Sequence, residues 1–205
     1  MRFLFILIGL MAAGSAHAQD SLKSSQTFRP FTEVALGAGI SFSREIIANT
    51  ENIPAAIFSL EYSRHFRKLI FGGGYTAQPF VYKSTVDGVP SVTYKLAAPA
   101  HTLYAFGRIA ARKSWGYIYL GALAGFATGK AKDRDEWSLY ESCSGLVAGL
   151  STGINYQIAG PVGLSFDLAP KAYLLNFSYT KNGEDKSKKH TVLTAPVMLG
   201  LRVRF

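Results

Sequence analysis

Residues 33–43 alternate without a break. Val34, Leu36, Ala38, Ile40 and Phe42 hold the even positions; Glu33, Ala35, Gly37, Gly39, Ser41 and Ser43 hold the odd ones. Strict period two makes this a strand with one apolar face and one small or polar face. Residues 57–66 repeat the pattern, with Phe58, Leu60, Tyr62 and Phe66 against Ser59, Glu61, Ser63 and His65; Arg64 is the break on the apolar side. Residues 69–78 follow at once, with Leu69, Phe71, Tyr75 and Ala77 against Gly72, Gly74, Thr76 and Gln78. A chain built from such segments cannot bury its greasy faces in helices.

Residues 102–111 and 115–128 are strand-like but bulky on both faces, so alternation alone leaves their inward sides open. Arg108 shares its parity with Tyr104 and Phe106, which argues that this set points inward. Residues 142–166 carry no charge and are long enough to cross a bilayer as a helix; Gly145, Gly149 and Gly153 even have helix-packing spacing. The intervening residues decide against a helix. Leu146, Ala148, Leu150, Thr152, Ile154, Tyr156 and Ile158 share one parity, and Gly160-Pro161 then makes a turn before Val162, Leu164, Phe166 and Leu168 restart the pattern. The last segment, 191–205, sets Val197, Leu199, Leu201, Val203 and Phe205 against Met198, Gly200, Arg202 and Arg204. The total is eight strands of about ten residues or more, the span of a tilted transmembrane strand.

The links alternate as well. Those at Arg67-Lys68, 112–114 and 159–161 are short, whereas 44–56, 79–101, 129–143 and 179–190 are read as long loops. Short turns at one end and long loops at the other are the plan of an outer-membrane barrel. A soluble sandwich or lipocalin-like barrel also alternates, but its exposed face is charged. Here only 17% of the residues are charged, and the face opposite the leucines and aromatics is glycine and serine. The formal net charge of +9 comes in short scattered clusters, which does not suit nucleic acid. Lone Cys143 excludes an intramolecular disulfide and reads as a small apolar filler. Arg2, the apolar run 3–11 and Ala16-His17-Ala18 read as a cleaved signal peptide over 1–18. A short periplasmic segment, 19–30, and a barrel domain, 31–205, are expected to follow.

In architecture, residues 31–205 resemble the eight-stranded outer-membrane β-barrel proteins of Gram-negative bacteria, the OmpA/OmpX type and similar small barrels of Bacteroidetes. The resemblance implies an all-β, antiparallel up-and-down transmembrane barrel in the outer membrane, with periplasmic turns, extracellular loops, and lipid and lipopolysaccharide as surroundings. In that family a terminal aromatic preceded by alternating apolar residues is the signal read by the barrel-assembly machinery; Val197, Leu199, Leu201, Val203 and Phe205 match it. Closure requires the first strand to pair with the last, because lipid offers the backbone no partners. A Glu33–arginine contact with Arg202 or Arg204 is therefore expected across the seam. Glu61, His65, Arg108, Asp167 and Lys171 are the other expected members of a structural lumen network. A barrel of eight strands is just wide enough for side chains to fill, so no open pore is expected.

Two small barrel families of this kind are enzymes that edit lipid A with Ser and His. The one triad-like run here is Glu61-x-Ser63-x-His65. Strand neighbours two apart stand about 6.5 Å from each other, while a base must come within about 3 Å of its nucleophile, so the run is read as lumen packing and not catalysis. His101 and His190 are placed at strand–loop junctions, and no metal or cofactor set is apparent. The remaining charges fall in two mixed loop patches, one at Lys130, Lys132, Asp133, Arg134, Asp135 and Glu136, the other from Lys181 onward; within the second, Lys186, Lys188 and Lys189 are candidate contacts for lipopolysaccharide phosphates. The expected role is a non-enzymatic surface or accessory protein of the envelope, with a lipid A-modifying enzyme or a narrow conduit as alternatives.

Overall fold

In the computed structural model, residues 28–45, 50–79, 81–84, 92–95, 100–130, 142–181 and 184–205 are described. The expected signal peptide, with its cleavage site, lies outside them, as does most of the 19–30 segment. The described residues form eleven strands: β1 (Phe31–Glu45), β2 (Thr50–His65), β3 (Leu69–Gln78), β4 (Val81–Ser84), β5 (Val92–Lys95), β6 (Ala100–Lys113), β7 (Gly116–Lys130), β8 (Ser142–Ala159), β9 (Val162–Leu168), β10 (Lys171–Lys181) and β11 (Glu184–Arg204). β9 and β10 are one strand of the wall, interrupted at Ala169-Pro170, where proline has no N–H to give the ladder. The register on both sides is unchanged across the break: Leu168 faces Val197 and Lys171 faces Thr194.

The ring runs β1, β2, β3, β6, β7, β8, β9–β10, β11 and back to β1, every pair antiparallel. The closing seam sets Glu33 opposite Arg204 and Ala35 opposite Arg202. It is tied off where Phe205 N donates to Thr32 O at 2.8 Å and Thr32 N to Phe205 O at 3.2 Å. No edge is left in the ring, as a bilayer requires.

The burial is inverted relative to a water-soluble protein. Leu36, Leu103 and Leu199 are 60%, 68% and 68% exposed, while Glu33, Arg108 and Arg202 are 2%, 3% and 3% exposed. Such a continuous apolar outer wall is solvated by hydrocarbon. The parity left open in β6 and β7 resolves with Tyr104, Phe106, Arg108, Tyr117 and Tyr119 inside and Leu103, Ile109 and Leu120 outside. Inward glycines accommodate these rings. A Cβ added at Gly74 would stand 2.5 Å from Tyr104 Cζ, and one at Gly72 would stand 2.6 Å from Phe106 Cζ.

The expected loops are corrected in two respects. First, the ladder does not stop where the apolar residues stop. β1 reaches Glu45, β2 starts at Thr50, and Lys181 pairs with Glu184. Polar pairs such as Ser178 with Ser187 and Thr180 with Asp185 carry it on, because backbone pairing needs no greasy face. The long loop read over 179–190 is thus mostly strand, and Asn182-Gly183 in the sequence is the two-residue hairpin signal. Second, the link 79–101 contains a hairpin, β4–β5, which adds to the end of β2 through Thr50–Ser84 and Asn52–Tyr82 pairing.

Candidate functional site

The inward faces of the lower strands meet in a charged cluster. Glu61 of β2 and Arg108 of β6 form a bidentate pair, with Nη1 to Oε2 at 2.8 Å and Nη2 to Oε1 at 2.6 Å. Tyr104 donates to Glu61 Oε1 at 3.0 Å, and Arg108 Nε donates to Ser151 at 3.0 Å. Arg202 of β11 spans three carboxylates: Glu33 at 3.2 Å, Asp167 at 2.9 Å and Glu61 at 3.7 Å. Tyr117 donates to Glu33 at 2.5 Å, Tyr119 donates to Asp167, and Ser165 donates to Asp167 Oδ2 at 2.8 Å. The Arg108 guanidinium lies 3.7 Å above the Phe106 ring. Each charge of this cluster has an opposite charge and further hydrogen bonds, without which burial would be costly.

Of the seam arginines, Arg202 reaches Glu33, although Arg204 is directly opposite it on the ladder. The Arg204 guanidinium instead lies 4.1 Å over the Phe31 ring. One step lower in the barrel than Arg202, it meets an aromatic end-piece and not the carboxylates. Lys171 is buried but above the cluster, donating to Thr76 Oγ1 at 3.3 Å and lying 4.9 Å from the Tyr104 ring. Tyr117, Tyr119, Ser151 and Ser165 complete the cluster and were not singled out from sequence. In β7 the parity of Gly121 and Gly125, shared with Tyr117 and Tyr119, is the signal that would have pointed to them.

The Ser63–His65 expectation needs correction in its geometry. Their side chains lean together, so Ser63 Oγ is 3.1 Å from His65 Nε2 and not about 6.5 Å away. The carboxylate at this imidazole is Glu33, 3.4 Å from the same Nε2, whereas Glu61 is turned to Arg108. The arrangement differs from that of an activated serine. Arg112 Nη2, which has only hydrogens to offer, sits 3.0 Å from Nδ1. Nδ1 therefore accepts, and Nε2 carries the proton that faces both Ser63 and Glu33. A catalytic histidine needs the reverse, with the acid on Nδ1 and a bare Nε2 toward the serine. His65 is also fully buried, stacked at 4.4 Å on Phe31.

Elsewhere, Cys143 is buried in an apolar cluster with Val147, Leu175, Phe177 and Val192 at the loop end of the lumen. His190 is buried and edge-on to Phe177 at 5.1 Å, not at a strand–loop junction; His101 is exposed beside Tyr75. Lys186, Lys188 and Lys189 lie on strand β11 and not in a loop, with Lys189 on the opposite parity to the other two. Of the first mixed patch only Lys130 is within the described residues. Among those residues no group of three His, Cys, Asp or Glu is disposed to hold a metal ion.

No protein-family model matches the chain, and no curated protein matches its sequence. Solved structures do match in fold. The crystal structure of Neisserial surface protein A superposes with a TM-score of 0.54 at 18% identity, covering 85% of this chain and 97% of that one. The solid-state NMR structure of the outer-membrane protein AlkL in lipid bilayers gives 0.53 at 13% identity, covering 89% and 93%. The fold is that of the small eight-stranded outer-membrane β-barrels.

Proposed function

We propose that this chain is a non-enzymatic outer-membrane protein of a Gram-negative bacterium, exported by the 1–18 signal and serving as an anchored surface or accessory element of the envelope with a filled lumen. The observation that carries this is the cluster of Glu33, Glu61, Asp167, Arg108 and Arg202, all less than 9% exposed and bonded across the interior from five strands. A barrel this narrow, once crossed by such a cluster, has no path for hydrated solutes. The short-turn end is the periplasmic one in this reading. Val197, Leu199, Leu201 and Val203, on the outward parity of β11, and Phe205 just past its end are the signal for the barrel-assembly machinery. Exposed Lys186 and Lys189, together with Lys188, stand at the loop end, where lipopolysaccharide phosphates lie. Planar-bilayer recording of the refolded protein tests the main claim: no stable conductance steps are expected, and discrete long-lived channels would overturn it. Lipid A mass spectra from a deletion strain address the enzyme alternative, since an altered acyl pattern there would displace the non-enzymatic reading.

A further inference from the structure

Exposed carboxylates on this barrel are confined to one end, among the residues whose side chains are described. Among those residues the carboxylates are either buried in the lumen cluster (Glu33, Glu61, Asp167) or at the loop end (Glu184, Asp185). At the short-turn end none is exposed, yet Arg64, Arg67 and Lys68 are all exposed there and Lys113 is half-exposed. Arg64 stands out because it is on the outward parity of β2, between Tyr62 and Phe66, which are 60% and 42% exposed. Its one polar partner among the described residues is the Thr32 hydroxyl at 3.0 Å, also on the outer wall. An outward arginine is tolerated at a membrane interface and not in hydrocarbon. The aromatic residues fix that level: Phe66 and Phe71 pack edge-on at 6.3 Å beside Arg64, and Trp115 stacks on Tyr156 at 6.4 Å further round the rim.

We infer that Arg64, Arg67, Lys68 and Lys113 form a binding rim for anionic phospholipid headgroups of the leaflet at the short-turn end, with Arg64 holding the phosphodiester. The inference rests on the bilayer reading above. A guanidinium with most of its donors free, on a lipid-facing wall at headgroup depth, is matched by a phosphate oxygen pair. The two cations of the β2–β3 turn, three and four residues on, supply the attraction that favours a net-negative headgroup over a zwitterionic one. Arg112 is not part of the rim. Its guanidinium donates to the Phe66 and Arg67 carbonyls at 3.1 and 3.2 Å and so holds the turn in shape.

The test is lipid selectivity measured by spin-label electron paramagnetic resonance. The protein is refolded into phosphatidylcholine vesicles containing trace spin-labelled phosphatidylglycerol or phosphatidylcholine. The wild type is expected to hold the labelled phosphatidylglycerol about fivefold more strongly, as one interfacial cation would give. The triple variant Arg64→Gln, Arg67→Gln, Lys68→Gln is expected to lose most of that preference. The loop-end variant Lys186→Gln, Lys189→Gln is expected to keep it. Equal association of the two lipids with the wild type, or a preference lost only in the loop-end variant, overturns the inference. Folding of each variant is checked by its heat-modifiable migration on gels. Failure of the wild type to insert into vesicles at all would count against the barrel reading itself, whereas insertion without selectivity counts against the rim alone.

Discussion

Replacing Arg202 with methionine is the most informative perturbation of the lumen. Arg202 lies within 3.2 Å of Glu33 and within 2.9 Å of Asp167, and no other arginine or lysine salt bridge to either carboxylate is found among the described residues. Glu61 keeps its bidentate pair with Arg108. The variant therefore strands two carboxylates. At an effective dielectric of about 20, each pair at such range gives up about 4 kcal/mol of attraction. Part of that returns, because the guanidinium no longer has to be desolvated, and Tyr117, Tyr119 and Ser165 still donate to the stranded acids. The net loss expected for a broken buried pair is about 3–5 kcal/mol. With a urea dependence of about 2 kcal/mol per molar, the unfolding midpoint should fall by about 1.5–2.5 M, followed by tryptophan fluorescence in vesicles. The companion variant Glu33→Gln, Asp167→Asn, Arg202→Met removes the stranded charges together and should recover at least half of that loss. A shift below about 0.5 M for Arg202→Met alone, or a companion no more stable than the single variant, would refute the argument that the cluster is held by charge matching.

Gly74 and Gly73 are adjacent but face opposite sides of the wall. Gly74→Val drives a Cβ to 2.5 Å from Tyr104 Cζ and should cost about 1–3 kcal/mol, eased by Tyr104→Ala, whereas Gly73→Val meets only a backbone oxygen at 3.4 Å and should cost less in the same urea titration. Leu199→Arg on the outer face should destabilise the inserted barrel by about 2–4 kcal/mol if that position is in the hydrocarbon, and a neutral effect would argue that the apolar wall is not in lipid. Cys143, 2% exposed inside the lumen, should resist maleimide labelling in the folded protein and react fully once it is unfolded in urea.

Most of the wall was legible because period two assigns faces wherever the two faces differ in size and polarity. In β1, Leu36 and Ile40 against Gly37 and Ser41 admit one reading. In β6 and β7 hydropathy fails, since Tyr117 and Ile118 are both bulky; Arg108 marks the inward parity in β6, where Gly107 lies outward, and Gly121 and Gly125 mark it in β7. The seam contact followed from closure, but which arginine would reach Glu33 did not, because a diagonal neighbour and a direct one differ by a single step along the strand. The Ser63–His65 distance was misjudged for a related reason: strand rise fixes Cα spacing, while rotamers let two inward side chains converge. Strand ends past the membrane carry no alternation signal, so the paired polar residues of β10 and β11 read as loop despite the Asn182-Gly183 dipeptide between them.

The lumen is graded along its axis, and the gradient bears on where function resides. At the short-turn end Phe31 closes the interior, stacked on His65 and covered by Arg204 at 4.1 Å. Above it the carboxylates of Glu33, Glu61 and Asp167 are paired with Arg108 and Arg202, and Lys171 lies above them on Thr76. Higher still, Gln78 donates to Tyr173 at 3.4 Å, and then Val147, Leu175, Phe177 and Val192 form an apolar patch on β8, β10 and β11, each no more than 2% exposed. An ion entering from the loops would pass this patch and then meet charges already paired. On the proposed filled-lumen reading, the loop-end hairpins and the outer wall are the surfaces left for recognition.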